Sequence, residues 1–504
     1  MDLQSLRGEI DEIDENILRL FNRRMDITAA VARYKQENGL PVHDPAREHQ
    51  KLCDISRVIG SGREAYACAL FALLFELSRD SQNRIIRQGK PENKHAGKFG
   101  LLGGKLSHSF SPMIHAELGK YEYSLFEKKP DEIGLFLACG DFGGLNVTVP
   151  YKKAVLPYCS ALSQAARATG SVNTLTRLAD GSLFGDNTDC FGFAYLLKKA
   201  GISPAGLKAA VLGSGGSSLA VQAVLRDMSA REIAVISRGG PDSYENLEKH
   251  RDCDIIINTT PIGMYPGNGI SPLADLSAFK NCRAVIDLIY NPAHTQLLFD
   301  AQELGITAVN GLDMLTAQAK KSAEIFTGEI IPDDKIGEIT SKLIQMTRNI
   351  VLIGMPGCGK TAIGTALAKK LGREFADADM HIEKAAGKII PEIFAQNGEA
   401  AFREMETAAL EELCKRSGIV IATGGGVVTR PENRRIIRQN STVVFLDRDI
   451  TKLDLTDRPV SQRDGITALA QHRLPIYRQW CDYTVNADDI EQATDRLSRL
   501  GIRF

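Results

Sequence analysis

The chain has 504 residues, 43% of them apolar and 24% charged, with a formal net charge of -1; it is too long for one core and suggests roughly three domains. Near-neutrality gives no electrostatic reason to expect nucleic acid or a membrane surface, and no apolar run is long enough to span a bilayer. Ten cysteines are scattered without a C-x-x-C pair or a His-rich neighbourhood, which argues against metal sites and disulfides, and the amphipathic start MDLQSLRGEIDEID is unlike a signal peptide, so the expectation is a cytoplasmic protein.

Two breaks divide the chain. Arg87 to Gly100 is polar and rich in Lys, Gly and Asn, as a linker would be. A weaker break falls near Ile344 to Arg348. The expected domains are residues 1–90, all helical; 97–346, an α/β two-lobed unit with a Rossmann-type nucleotide lobe at about 204–306; and 348–504, an α/β P-loop unit.

Residues 2 to 38 carry one helical pattern. Leu3, Leu6, Ile10, Ile13, Ile17, Leu20, Ile27 and Val31 recur at steps of three and four, and Gly39 with Pro41 ends the run. A helix of that length, about 55 Å, exceeds what a domain of this size covers, so it is expected to pack against a second copy. Arg24 continues the apolar seam. A guanidinium there needs a buried acid or an anionic ligand, unless the domain is a plain dimerisation module with an internal salt bridge.

LRGEIDEIDENILRLFNRR, Lys35, PVHDPAREH, and Ser78 with Gln82 one helical turn apart resemble the all-helical class of chorismate mutase. The resemblance implies that Arg7 of the partner subunit, Arg24 and Arg47 hold substrate carboxylates and that Lys35 and Gln82 hydrogen-bond the ether oxygen. It places Asp44 and Glu48 near the ring hydroxyl and Ser78 among the substrate contacts. His43 departs from the arginine of some members. A unimolecular rearrangement needs only a shaped pocket and donors where charge develops.

The central segment contains a strand at Lys208 to Leu212, a turn GSGGSS with Gly213, Gly215 and Gly216, a helix, and a strand at Glu232 to Ile236. Ser218 stands where the usual fingerprint has its third glycine. Ser237-Arg238 follows the second strand, where an acid suits NAD and an arginine suits the 2′-phosphate of NADP; a surface arginine there is equally ordinary. The blocks GGKLSHSFSPMIH, NVTVPYKK, GSVNTL, GDNTD, NTTPIGM, DLIYNP and NGLDMLTAQA follow in order and together resemble shikimate dehydrogenase. That resemblance implies Lys152 as general acid/base with Asp189 orienting it, Ser109 and Ser111 on the substrate carboxylate, and Thr148, Asn173 and Gln318 on ring hydroxyls, with Tyr290 nearby. It also puts Met264 beside the coenzyme. Ser237 and Gly239 replace the Asn and Thr that commonly flank the arginine, which implies a looser grip. Taken from the residues alone, Lys152 and Asp189 fit a salt bridge as well as an acid/base pair.

Asn349 to Gly372 reads as strand, phosphate loop and helix. Gly354, Gly357 and Gly359 let backbone N–H groups crowd an anion, Lys360 supplies a cation for the outer phosphates, and Thr361 is placed for magnesium. FADADMHIE, AFREME, ATGGGVV, LTDRPVSQRDG and HRLPIYRQ then resemble shikimate kinase. The resemblance implies Asp377 toward magnesium, Asp379 on the reacting hydroxyl, Arg403 and Arg473 on the carboxylate, Gly425 and Gly426 against the substrate ring, and Arg458 on a lid over ATP. No N-K-x-D guanine block is present, which argues against a GTPase-like switch.

The combined expectation is a chorismate mutase, shikimate dehydrogenase and shikimate kinase fusion, using NADP, ATP and Mg2+ and dimerising through its first helices. The alternative is a bifunctional dehydrogenase–kinase whose first domain only dimerises or senses chorismate or prephenate. A dehydroquinase in first position is excluded, since about 90 helical residues cannot build a barrel.

Overall fold

The computed structural model describes residues 3–37, 45–59, 62–88, 98–106, 109–453 and 465–500. They fall into two compact units: residues 1–96 with 178–181, and the remainder.

The first unit consists of three helices, Leu3–Glu37, Pro45–Val58 and Glu64–Gln88. The first matches the expected helix and packs on the third. Thr28, Ala32 and Ala67 are buried, as are Ser78 and Gln82. Small residues at i and i+4 let two helices approach closely along one stripe. The earlier part of the apolar seam continues the same face toward the start of the helix and is not covered: Ile10, Ile13, Ile17 and Leu20 each remain more than half exposed.

In the second unit, strand β1 (Lys98–Gly103) begins inside the stretch expected to be linker. Gly100 has a structural reason to be glycine there: a Cβ would stand 2.3 Å from the Ser124 carbonyl and 2.5 Å from the Phe126 ring. β1 joins β2 (Glu122–Glu127), β3 (Gly144–Val147), β4 (Cys159–Leu162), β5 (Thr174–Arg177) and β6 (Leu183–Asp186) in the order β2-β1-β3-β5-β6-β4. β5 runs antiparallel to β3 and β6.

The next sheet contains β7 (Lys208–Leu212), β8 (Glu232–Ile236), β9 (Ile255–Asn258), β10 (Ala284–Asp287) and β11 (Thr307–Asn310), all parallel, in the order β11-β10-β9-β7-β8. Its central strands read as nearly continuous apolar runs because helices cover both faces. The order reverses between β7 and β9, so a crevice opens at the carboxyl end of β7, where the glycine turn lies. Helices Asp189–Lys199 and Leu312–Thr327 pack together. Their crossing is close because residue 192 is glycine: a Cβ would meet the Met314 carbonyl at 2.6 Å. Phe193 and Met314 pack toward the β7–β11 sheet, while Leu312 and Ala319 pack with Phe110 and Ile114 of the first lobe.

The third sheet comprises β12 (Asn349–Ile353), β13 (Phe375–Asp377), β14 (Val420–Ala422), β15 (Ser441–Asp447) and β16 (Tyr483–Asn486), parallel throughout, in the order β13-β14-β12-β15-β16. Only Arg348 separates helix Asp334–Thr347 from β12. Side chains also tie this sheet to the preceding one. The Tyr265 hydroxyl donates to the Cys414 carbonyl (3.1 Å), Asn268 donates to Gln439 (2.7 Å), and Arg435 pairs with Glu303 (2.9 Å). Among the described residues no helix is long and apolar enough to cross a membrane.

Candidate active sites

Three constellations stand at the ends of these elements. In the first lobe of the second unit, Lys152 donates to Asp189 Oδ2 at 2.5 Å, and both side chains are largely buried, 14% and 7% exposed. Asp189 opens its helix, where the dipole favours negative charge. Its other oxygen accepts from Asn173 Nδ2 (2.9 Å), and its N–H donates to Asn187 Oδ1 (3.1 Å). Asn173 Nδ2 also donates to Thr188 (3.0 Å), and the Thr188 hydroxyl reaches Gln318 Oε1 at 3.3 Å. Lys152, Asp189, Asn173 and Gln318 therefore form one connected polar cluster. Ser109 and Ser111 sit together, hydroxyl to hydroxyl at 3.1 Å. Tyr290 packs on Phe110 between them in sequence, with ring centroids 5.4 Å apart, and burial raises its phenol above the usual value. Thr148 lies just past β3, its methyl beside Gly103.

The glycine turn after β7 faces this cluster. A Cβ on Gly216 would meet the Lys152 stem at 3.3 Å, so the turn and the lysine are in contact. Gly213 adopts a positive φ of 105°, and a Cβ there would lie 2.7 Å from Thr259 Oγ1. Gly215 caps helix Gly216–Asp227. Ser218, which replaces the third glycine, is buried and donates to the Gly213 carbonyl at 2.7 Å, so its hydroxyl braces the turn that a glycine would merely permit. Ser237 and the exposed Arg238 follow β8, and Met264 is partly exposed in the loop after β9. This exposed cation beyond β8 and the open glycine turn fit a phosphate-bearing dinucleotide.

Several residues of this region were not singled out from the sequence. Asn146 donates to Ser322 (2.7 Å) and accepts from Tyr123 (2.8 Å), locking β3 to helix Leu312–Thr327. Asn258 and Thr295 both donate to Asp287, at 3.0 and 2.6 Å, behind the Met264 loop. Burial pushes the Asp287 carboxyl up to about 6 against those hydrogen bonds. The signal was present in the NTTPIGM and DLIYNP blocks, but pairing across 29 residues is invisible to local spacing.

In the β12–β16 sheet, Gly354, Gly357 and Gly359 all have positive φ (152°, 77° and 94°), the conformations that turn backbone N–H groups inward. Lys360 is buried and donates to the Gly354 and Met355 carbonyls at 2.9 and 3.0 Å. Thr361 donates to Asp377 Oδ2 (2.7 Å) at the mouth of the loop, and Asp377 Oδ1 accepts the Asp379 N–H (3.0 Å). A hydroxyl and a carboxylate beside a phosphate cradle are the donor set magnesium takes, with phosphate oxygens and waters completing it. Thr361 and Asp377 thus fit the ion.

The glycine triplet is enforced by contact. A Cβ on Gly424 would stand 2.4 Å from Glu406 and 2.8 Å from Asp379, one on Gly425 2.6 Å from Pro356, and one on Gly426 2.0 Å from Arg403 Nη1. Arg473 donates to the Gly425 carbonyl at 3.0 Å, beside the Tyr477 hydroxyl, which bonds the same oxygen. Arg403 donates to Glu406 at 2.8 Å and to Glu399 at 3.3 Å. Glu406 is fully buried, and that burial raises its pKa although Arg403, Arg473 and Lys360 oppose the rise. Sequence reading passed over Glu406; its i,i+3 spacing from Arg403 is the signal that could have found it. Arg458 lies outside the described residues.

In the first unit, Arg24 donates to the Leu74 carbonyl at 2.9 Å and to the Ser78 hydroxyl, and burial lowers its pKa. Among the described residues its partners are a carbonyl, a hydroxyl and the Phe75 ring rather than the buried acid offered as one alternative. Gln82 lies one turn beyond Ser78, with a buried Oε1 that has no hydrogen-bond partner among the described residues. Glu48 pairs with Arg79. Lys35 lies in the last turn of the first helix and the exposed Arg47 in the second helix, while Asp44 is outside the described residues. Arg7 is exposed on the first helix, 17 residues before Arg24. At 1.5 Å per residue that is about 25 Å, beyond the reach of one small ligand.

Comparison with known proteins matches residues 6–83 to chorismate mutase type II, residues 101–175 to the shikimate dehydrogenase substrate binding domain and residues 356–499 to shikimate kinase. A shikimate dehydrogenase (NADP(+)) of Clostridium perfringens is 37% identical over 251 residues, 46% of this chain and 92% of that protein. One from Methanopyrus kandleri is 35% identical over 270 residues, 47% of this chain and 93% of that protein. Among solved structures, a chorismate mutase/shikimate 5-dehydrogenase fusion protein from Clostridium acetobutylicum is 38% identical, covering 49% of this chain and 97% of that one with a TM-score of 0.46.

Proposed function

This chain belongs to the shikimate dehydrogenase family, and with chorismate mutase and shikimate kinase domains to either side it is a multifunctional shikimate-pathway enzyme; from that premise we propose the following roles for its side chains. The domain limits are 1–90, 97–346 and 348–504. The central domain reduces 3-dehydroshikimate with NADPH, the last phosphorylates shikimate from ATP, and the first rearranges chorismate to prephenate.

The observation that carries the dehydrogenase reading is the buried Lys152–Asp189 pair in contact with the coenzyme turn. Gly213, Gly215, Gly216, Ser237, Arg238 and Met264 would hold the coenzyme, which in its reduced form, NADPH, would supply the hydride. Lys152 delivers a proton to the ketone oxygen as negative charge develops there, and Asp189 aims the ammonium and binds the adjacent hydroxyl. Ser109 and Ser111 take the carboxylate, Thr148, Asn173 and Gln318 the ring hydroxyls, and Tyr290 closes the side beside the serines.

In the kinase domain, Gly354, Gly357, Gly359 and Lys360 hold the phosphates. Thr361 and Asp377 would hold magnesium, which would neutralise phosphate charge there. Asp379 accepts the hydrogen bond of the attacking hydroxyl. Arg403 and Arg473 clamp the carboxylate, with the backbone of Gly425 and Gly426 against the ring and Arg458 closing over ATP. Gly426→Ala should displace the Arg403 guanidinium, whose nitrogen occupies the Cβ position. The expected result is a KM for shikimate raised by about tenfold or more, from loss of one charged hydrogen-bonding group, with the KM for ATP little changed. Equal rises in both constants would show a general disruption instead.

For the first domain, Arg24 and Arg47 with Arg7 of the partner subunit bind the carboxylates, and Lys35 and Gln82 donate to the ether oxygen. Asp44 and Glu48 lie at the ring hydroxyl and Ser78 at the rim. The exposed apolar seam and the distance from Arg7 to Arg24 support a homodimer through these helices. Cysteines scattered without a C-x-x-C pair suit a reducing cytoplasm. Chorismate consumption by the purified chain, compared with Arg24→Ala, tests this domain. Turnover that falls by about 10²-fold in the variant is expected from losing a charge-assisted bidentate contact. An intact dimer without turnover would make the domain a scaffold or a sensor of chorismate or prephenate.

A further inference from the structure

Where helix Gln296–Glu303 of the β7–β11 part approaches β15, a cavity of about 250 Å3 lies between the dehydrogenase and kinase parts of the second unit. His294 and Phe299 form part of one wall; Arg348, Arg438, Ser441 and Asp482 form part of the other. None of these residues belongs to the three constellations above.

The polar groups around this cavity do not balance one another. Arg438 donates to Asp482 at 3.2 Å and to the Trp480 carbonyl at 3.4 Å, and the other Asp482 oxygen accepts the Val443 N–H at 2.8 Å. That carboxylate is already committed. Among the described residues no carboxylate lies within ion-pair distance of Arg348, which stands alone between helix Asp334–Thr347 and β12. Two guanidiniums against one carboxylate leave one positive charge in excess. His294 adds none near neutrality: burial and the two arginines hold its pKa down to about 4. Burial likewise lowers the pKa of Arg348.

A second, independent observation comes from Ser441. The residue is 8% exposed and lines the cavity, and among the described residues its hydroxyl has no hydrogen-bond partner. Buried hydroxyls are ordinarily partnered, and an unsatisfied donor beside an uncompensated cation is the pair of defects that one oxyanion repairs. The space is large enough for a compact anion with its waters.

We propose that this cavity is a binding site for a compact oxyanion, a phosphate or carboxylate group held by Arg348, Arg438 and the Ser441 hydroxyl, and that its occupant braces the NADP lobe against the kinase domain. The proposal does not depend on the residue roles assigned above.

The test uses the full chain with NADP, shikimate, prephenate and the magnesium complex of the non-hydrolysable β,γ-imido analogue of ATP at saturation, so that the catalytic anion sites of all three domains are filled. Equilibrium dialysis then measures labelled inorganic phosphate, with malonate as competitor. Saturable binding near one phosphate per chain is expected, weakened about tenfold or more by Arg348→Met through loss of a charged donor. Ser441→Ala should weaken it less, and both variants should retain wild-type dehydrogenase and kinase rates without phosphate. Strong displacement by malonate would assign the site to a carboxylate, and weak displacement to a phosphate. Absence of saturable binding by both anions, or undiminished binding to Arg348→Met, would overturn the site. If Arg348→Met does not fold, Ser441→Ala decides alone, because its hydroxyl has no partner to lose among the described residues.

Discussion

Lys152→Ala is expected to lower NADPH oxidation with 3-dehydroshikimate by about 10³-fold in kcat, the scale of losing a positioned general acid. The Lys152 ammonium is held by Asp189 at 2.5 Å, and Asn173 fixes the other Asp189 oxygen at 2.9 Å, so its aim is set before substrate arrives. Pre-organised donors of this kind act mainly on the charge that develops during reaction, so the loss should appear in kcat rather than in substrate KM. One complication is that the Lys152 stem packs on Gly216. Truncation therefore opens space at the coenzyme turn, and the NADP dissociation constant must be measured beside the rate. A defect confined to NADP affinity would make Lys152 a packing residue, and near-normal turnover would remove it from the mechanism. Shikimate phosphorylation by the same chain serves as the folding control and should be unchanged.

The elements that carry these residues were legible where local chemistry fixes them. The run Ile350–Ile353, the glycines after it and the Ala/Leu-rich segment to Gly372 gave β12, the phosphate loop and its helix, because strand, turn and helix each have a short-range signature. β7 and β8 were found at the same limits, Lys208–Leu212 and Glu232–Ile236, for the same reason. What spacing could not give was long-range pairing. The antiparallel insertion of β5 between β3 and β6 depends on partners far apart in sequence. Arg24 shows the limit at a single residue. Its place in an apolar stripe correctly marked a guanidinium in need of compensation, but its neighbours here are Ser78 and the Leu74 carbonyl, which solvate the cation without neutralising it. The sequence reading of the glycine triplet is that it lets backbone approach the substrate ring. Its strictness, however, comes from Glu406, Pro356 and Arg403 lying where side chains would have to go. The links from Tyr265 and Asn268 to Cys414 and Gln439 had no signal in sequence, since each is an ordinary polar residue until two domains are brought together.

Asp379→Asn should reduce shikimate phosphorylation by about 10³-fold in kcat while leaving nucleotide affinity close to wild type. The substitution preserves shape, and the backbone N–H that anchors position 379 to Asp377 remains. What it removes is the charge that accepts and orients the attacking hydroxyl in a transfer that depends on positioning and electrostatics. Two other carboxylates stand nearby, and their partners separate their roles. Asp377 is tied to Thr361 at the loop mouth, so Asp377→Asn should instead raise the magnesium concentration needed for half-maximal rate. Glu406 is fully buried and paired with Arg403, so its loss should act through the carboxylate clamp and raise the KM for shikimate. If Asp379→Asn turned over normally while Glu406→Gln lost the chemical step, the acceptor would be Glu406, and Arg403 would serve to orient that carboxylate rather than the substrate.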